Sequence, residues 1–173
     1  MTVRIERAHA RDVNRVKALW KLLLQRYQDY AAGDWPVRDP KDAWQRRHQE
    51  YLSWINDGVG VIYVATDDAV EGAQPGAESP LVGYAALRFV DSGAAMNLGE
   101  AVGIIETVVV DPAHRGRGIG NQLMAACRRE LERREISFCC IETLTSNTEA
   151  MAMVESNGFR PYMTRLIRRI DGD

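Results

Sequence analysis

The stretch Val108–Gly120, Val-Val-Val-Asp-Pro-Ala-His-Arg-Gly-Arg-Gly-Ile-Gly, constrains this chain more than any other. The apolar run Val102–Val110 predicts a buried strand, ended by Asp111-Pro112. Glycines follow at 116, 118 and 120. A helical pattern then runs from about Gly118 to Glu135, with Leu123, Met124, Cys127 and Leu131 on one face. Glycine lets a backbone take positive φ and come close to a ligand. The first N–H groups of a helix are unpaired and carry partial positive charge, so such a turn suits an anion. Arg115 and Arg117 add permanent cations beside it. The expected ligand is a phosphate.

Two familiar phosphate motifs fail on spacing. A P-loop needs Gly-Lys-Ser/Thr, and the turn has no lysine. In the dinucleotide frame, Gly116-x-Gly118 is followed by Asn121 and Gly118-x-Gly120 by Leu123.

The rest of the chain reads as one α/β domain over residues 1–173. Val3–Ala8 alternates as a first strand. Asp12 is placed to cap a helix from about Val13 to Tyr30, and a second helix follows over Lys41–Asn56. Val59–Thr66 and Leu81–Val90 read as strands, with Asp67–Pro80 as a hairpin connection. Ser137–Leu144 is a further strand and Asn147–Ser156 a short helix stopped by Asn157-Gly158. Tyr162–Ile170 alternates as a last strand. The order predicts a mixed sheet with helices on both faces.

Composition removes several classes of function. Net charge is −2, with 27% charged residues of both signs interleaved, so no overall field draws nucleic acid or a membrane. The helical arginines 128, 129, 133 and 134 alternate with Glu130, Glu132 and Glu135, which reads as a salt-bridged face. No apolar run approaches the roughly 20 residues of a membrane span, and MTVRIERAHARD has no apolar secretory region. The expected location is the cytoplasm. The arginine-rich basic set, with lysine only at 17, 21 and 41, hints at a GC-rich bacterial source. The three cysteines lack metal-ligand spacing and read as small core residues, so no metal is expected.

Arg115-Gly-Arg-Gly-Ile-Gly120 resembles the Arg/Gln-x-x-Gly-x-Gly/Ala signature of the GCN5-related N-acetyltransferase (GNAT) family. Ile105–Pro112 resembles the strand before that signature, and Asn147-x-x-Ala150 followed by Asn157-Gly-Phe159 resembles the next motif. The resemblance covers about Ile104–Arg160. It implies a mostly antiparallel twisted sheet of about six to seven strands with about four helices, splayed between the fourth and fifth strands. It implies acetyl-CoA as acyl donor. The pantetheine arm would bond to the backbone of Val108, Val109 and Val110. The pyrophosphate would rest on Arg115, Gly116, Arg117, Gly118, Ile119 and Gly120, with Asn121 adjacent. Asn147 would hold the pantetheine arm, although an asparagine there also serves as a plain helix cap.

The implied reaction is attack of an amine on the thioester, and it needs a base. Glu106, inside an apolar strand where burial would raise its pKa, is favoured; Glu142 is the second candidate. The backbone N–H near Val108 is the candidate oxyanion donor. Where the family commonly has a tyrosine that protonates the thiolate, this chain has Val154. Tyr162 and Ser156 are the substitutes the sequence offers. A valine there also raises a second reading, an acyl-CoA-binding regulatory domain without turnover.

The acceptor is expected to be a primary amine of a small molecule or a peptide. Its pocket is expected among Tyr27, Tyr30, Asp34, Trp35, Trp44, His48, Tyr51 and Trp54, although Trp44, Tyr51 and Trp54 share one helix face and read equally as core. The relatives imply a homodimer.

Overall fold

The computed structural model describes residues 3–31, 35–67 and 79–170. Asp34 and most of the 67–80 connection lie outside them. Five strands form one sheet in the order β1-β2-β3-β4-β5. They are β1 (Val3–Arg7), β2 (Gly60–Asp67), β3 (Leu81–Asp91), β4 (Ala101–Val110) and β5 (Cys139–Ile141). The first four pair antiparallel and β5 joins β4 in parallel. The helices are α1 (Lys17–Ala31), α2 (Pro40–Asn56), α3 (Ile119–Arg133) and α4 (Thr148–Ser156).

Periodicity explains where these elements pack. One core cluster joins Leu19, Trp20 and Leu24 of α1 and Trp44 and Tyr51 of α2 to Ile62, Val64, Tyr84, Ala86 and Val109 of the sheet. The other face of the sheet gives Val61, Val82, Leu87 and Ile105 to Leu123, Met124, Cys127 and Leu131 of α3. The apolar stripe foreseen on α3 is therefore its core face. At Gly103 a Cβ would collide with the Leu131 side chain, so the missing side chain lets α3 settle on β4.

Local chemistry sets the boundaries. Asp39 accepts hydrogen bonds from the N–H groups of Lys41 and Asp42, at 2.8 and 3.4 Å, and so starts α2 with Pro40 in its first turn. The first helix departs from expectation. Residues Ala10–Val16 form a 3-10 turn before α1 begins at Lys17. Asp12 closes that turn by accepting from the His9 N–H at 2.9 Å, and Arg15 pairs with Asp12 at 3.4 Å.

The expected last strand is not formed among the described residues. Tyr162–Ile170 has no strand pairing, and Met163, Leu166 and Ile170 are more than 80% exposed. Alternation supplies a face, but a strand also needs pairing with a neighbour, and this segment makes none. The sheet thus has five described strands instead of six to seven.

Cys127 is a core residue and Cys139 packs half-buried against the same cluster, whereas Cys140 is half-buried and belongs to neither cluster. Burial pushes the thiols of Cys127 and Cys139 up to about 12, far from a reactive thiolate. Among the described residues, no group of three or more His, Cys, Asp or Glu could hold a metal ion, and no helix is long and apolar enough to cross a membrane.

Candidate active site

Divergence of β4 from β5 opens a cleft. Their pairing runs from Gly103↔Cys139 to Ile105↔Ile141 and stops, while β4 continues to Val110. At the point of parting, β4 carries an extra residue. Ala86 pairs with Thr107 and Leu87 with Ile105, so Glu106 has no opposite number on β3. This bulge reverses the alternation of side chains. Ile105 packs toward α3, as do Val108 and Val110, whereas Val109 packs toward α1 and α2.

The same bulge turns the backbone. The Gly103 N–H reaches Phe138 beside β5, but the Asp111 N–H bonds Val82 on β3 at 2.9 Å. By alternation, Thr107 and Val109 face β3, and Val108 and Val110 aim their N–H and C=O groups into the gap. Arg115 Nε approaches the Val110 carbonyl at 3.5 Å from that side. An extended polar ligand could pair with those groups as an added strand would.

The glycine turn stands at one end of this edge. Asp111 accepts from the Ala113 N–H at 2.8 Å and begins a short 3-10 turn, Pro112–His114. Gly116 and Gly118 have φ of 72° and 74°, and Gly118 is the N-cap of α3. A Cβ at either would meet nothing within 4 Å, so the space over the turn is open. Ile119 is 1% exposed and anchors the start of α3 in the core, which leaves its backbone to face the open side. Asn121 accepts from Asn157 Nδ2 at 3.1 Å, joining α3 to the end of α4.

The two arginines of the turn have different surroundings. Arg117 bonds the buried carboxylate of Asp67 at 2.9 Å, tying the turn to the end of β2. Arg115 lies nearer the cleft, 3.8 Å from Glu149, which also binds Arg26 of α1 at 2.8 Å.

The cleft is roofed by α1 and walled by α4. From α1 come Leu23, Arg26, Tyr27 and Tyr30; from α4 come Ala150, Met153 and Val154, after Asn147. Asn147 Oδ1 accepts from the Ala150 N–H at 3.1 Å and from the Tyr30 hydroxyl at 3.3 Å. The helix cap and a ligand role are compatible, because capping uses only the oxygen. No bond to the Asn147 amide nitrogen is present among the described residues, and it remains available to a ligand carbonyl.

Both candidate carboxylates line this one cleft. The bulge turns Glu106 toward α2, but its surroundings are ionic, contrary to what its apolar strand predicts. Arg88 Nε and Nη2 both bind Glu106 Oε1, at 2.9 and 2.8 Å. Arg47 stands 3.9 Å from Oε2, which is the freer oxygen. The two guanidiniums lie over the Trp54 ring, 5.6 and 5.5 Å from its centre. Glu142, just past β5, is more exposed and pairs with Arg165 at 3.0 Å.

Arg88 and Arg47 escaped the sequence reading. An arginine eight positions into an apolar strand was the available signal, but its partner is set by the β3–β4 register. A buried hydroxyl cluster also escaped it. Tyr51 shares hydrogen bonds with Tyr84 at 3.3 Å and Thr107 at 3.1 Å beneath the bulge. Burial raises both phenols, so they stay neutral.

Comparison with known proteins decides the family. The model of the acetyltransferase (GNAT) family matches residues 18–159. The chain belongs to the GNAT family. No curated protein matches the chain. Among solved structures, the chain is similar to AAC(6')-Iy in complex with the bisubstrate analogue CoA-S-monomethyl-acetylneamine, at 19% identity and a TM-score of 0.72, covering 98% of each chain. It is similar to a GCN5-related N-acetyltransferase from Ralstonia eutropha JMP134, at 20% identity and TM-score 0.68, covering 99% of this chain and 100% of the other. A predicted acetyltransferase with acetyl-CoA from Clostridium acetobutylicum shares 16% identity and TM-score 0.69, covering 98% and 97%. These likenesses establish a GNAT fold over nearly the whole chain.

The remaining expectations sort against this GNAT fold. Val154 is 5% exposed in the cleft wall, where it offers no proton. Ser156 donates to the Met153 carbonyl at 2.8 Å, and Tyr162 is 53% exposed; neither lines the cleft. Trp44 and Tyr51 are core residues, at 6% and 0% exposed. His48 packs against Trp44, with ring centres 5.6 Å apart. Trp35 is 42% exposed. Near the C-terminal end of α3, a hollow lined by Tyr63, Arg129, Glu130 and Arg133 is a salt-bridge site. Burial alone would raise the Glu130 carboxyl, but Arg133 and Arg134 outweigh it and hold it at about 2.

Proposed function

We propose that this GNAT chain transfers the acetyl group of acetyl-CoA to a primary amine of a small molecule or peptide, by direct attack. One observation carries the reading. The unpaired edge of β4, at Val108 and Val110, runs from the open glycine turn at one end to Glu106 at the other. A ligand with a diphosphate, an amide-bearing arm and a reactive end has the same order of chemistry. Acetyl-CoA supplies the activated thioester carbonyl.

The chain's own residues have separable tasks. The N–H groups from Gly116 to Gly120, with Arg115, hold the pyrophosphate at the start of α3. Arg117 keeps the turn in place through Asp67. The gap-facing groups of Val108 and Val110 pair with the pantetheine amides, and the Asn147 amide nitrogen donates to a carbonyl of the same arm. The Val108 N–H faces the developing oxyanion. Glu106 takes the proton from the attacking amine at Oε2; Glu142 stands at the mouth of the cleft, where a cationic acceptor enters. The exposed run of Tyr162, Met163, Leu166 and Ile167 and the open outer edge of β5 support a homodimer joined through that segment. Use of acetyl-CoA supports a cytoplasmic location.

Buried Val154 favours a second reading, a regulatory domain that binds acyl-CoA without turnover. One experiment separates the two. The protein is mixed with acetyl-CoA and a panel of aminoglycosides, polyamines, amino acids and peptides, and free thiol is followed. Amine-dependent thiol release is expected. Binding of acetyl-CoA with no release from any amine would establish the second reading instead.

A further inference from the structure

A thiolate leaving into this cleft meets two carboxylates, Glu106 and Glu142, so expulsion of the sulfur calls for a donor. Val154 supplies none. Most other hydroxyls nearby are spent. The Thr107 hydroxyl is buried against Tyr51, and the Tyr30 hydroxyl is committed to Asn147 Oδ1. Arg26 is held by Glu149.

Tyr27 is different. It stands one turn before Tyr30 and one turn after Leu23, on the stripe of α1 that lines the cleft. It is 37% exposed, and no hydrogen bond to its hydroxyl is present among the described residues. Arg47 of α2, Glu106 of β4 and Glu142 beyond β5 are the charged groups near enough to act on it. Burial raises its pKa above the ordinary 10.0; Arg47 lowers it, and both carboxylates raise it further. At neutral pH the group is therefore a protonated donor.

Resting on the acetyl-transfer reading, we propose that Tyr27 is the catalytic donor to the departing sulfur, taking the place that Val154 leaves empty. The amine nitrogen bonds to the thioester carbon and its proton passes to Glu106. The carbon–sulfur bond breaks, and its electron pair leaves on sulfur. Tyr27 hydrogen-bonds that thiolate and stabilises its charge as it forms, and the sulfur is then protonated by the proton that Glu106 took, directly or through water. Products are the amide and the free thiol, with every proton accounted for.

The test uses CoA itself, the thiol product, bound to the wild-type protein and to Tyr27→Phe, which keeps the ring. Thiolate absorbance in the ultraviolet is followed against pH. A donor to the thiolate favours the charged form. In Tyr27→Phe the bound thiol is thus expected to ionise at a pH higher by about one to two units. The variant's kcat is expected to fall about 100-fold with CoA affinity unchanged. Tyr30→Phe is expected to weaken CoA binding through Asn147 and leave the thiol titration where it was. Identical titrations in wild type and Tyr27→Phe, or a shift seen only in Tyr30→Phe, would overturn the assignment of Tyr27 alone. Failure of the wild-type protein to bind CoA would instead overturn the functional reading and this proposal with it.

Discussion

Gly118→Val is expected to weaken CoA binding by 100-fold or more in a calorimetric titration. Gly118 holds φ of 74° as the N-cap of α3. An L-residue pays about 1–2 kcal/mol for the left-handed region, and a β-branched one pays more. The backbone escapes that cost by leaving the conformation, and the first N–H groups of α3 then lose their common aim. A side chain would also project into the open space where a phosphate must come. Strain alone predicts a lower melting temperature, on the order of a few degrees in a domain of this size. Gly58 separates the two effects, because it has φ of 71° with nothing within 4 Å of a Cβ, at the turn after α2. Gly58→Val should lower the melting temperature comparably and leave CoA affinity alone. Equal losses of affinity in both variants would mean that the turn acts only through stability.

Glu106→Gln is expected to lower kcat by about 100- to 10,000-fold while acetyl-CoA binding persists. The amide keeps the shape of the carboxylate and one acceptor for Arg88, but cannot take a proton. The dependence of kcat/KM on pH should lose its acidic limb. Glu142→Gln should reduce the rate less, because that carboxylate is exposed and shared with Arg165. If Glu106→Gln retains the wild-type pH profile and Glu142→Gln loses it, the base is Glu142. The contrast is meaningful because both side chains line the same cleft, Glu106 from β4 and Glu142 from just past β5.

The conformation of the glycine turn was legible because its information is local. An apolar strand, positive-φ glycines and an amphipathic helix lie within some thirty consecutive residues, and each imposes its conformation without help from afar. The start of α2 was read at Lys41, one residue after the observed Pro40, because the signals that open that helix are also local. Glu106 shows the opposite case. Its place in an apolar strand predicted an apolar setting, yet Arg88 arrives through the β3–β4 register and Arg47 from α2. The bulge that aims Glu106 toward α2 depends on which β3 residue skips a partner, and no pattern within β4 encodes that. Tyr162–Ile170 failed for a related reason, since alternation says nothing about whether the segment docks on the edge that β5 offers. Val154 was legible as a departure and Tyr27 as a pocket candidate, but only tertiary packing sets the two on the same cleft.

Amide resonances mapped during addition of acetyl-CoA test the central claim most directly. The N–H signals of Val108, Val110 and residues 116–120, with the Asn147 side-chain amide, are expected to shift together and saturate together. The Glu130 hollow, near the other end of α3, should stay unmoved. Saturation with those signals unchanged, or shifts centred on another surface, would contradict a donor site built from the splayed edge of β4 and the glycine turn.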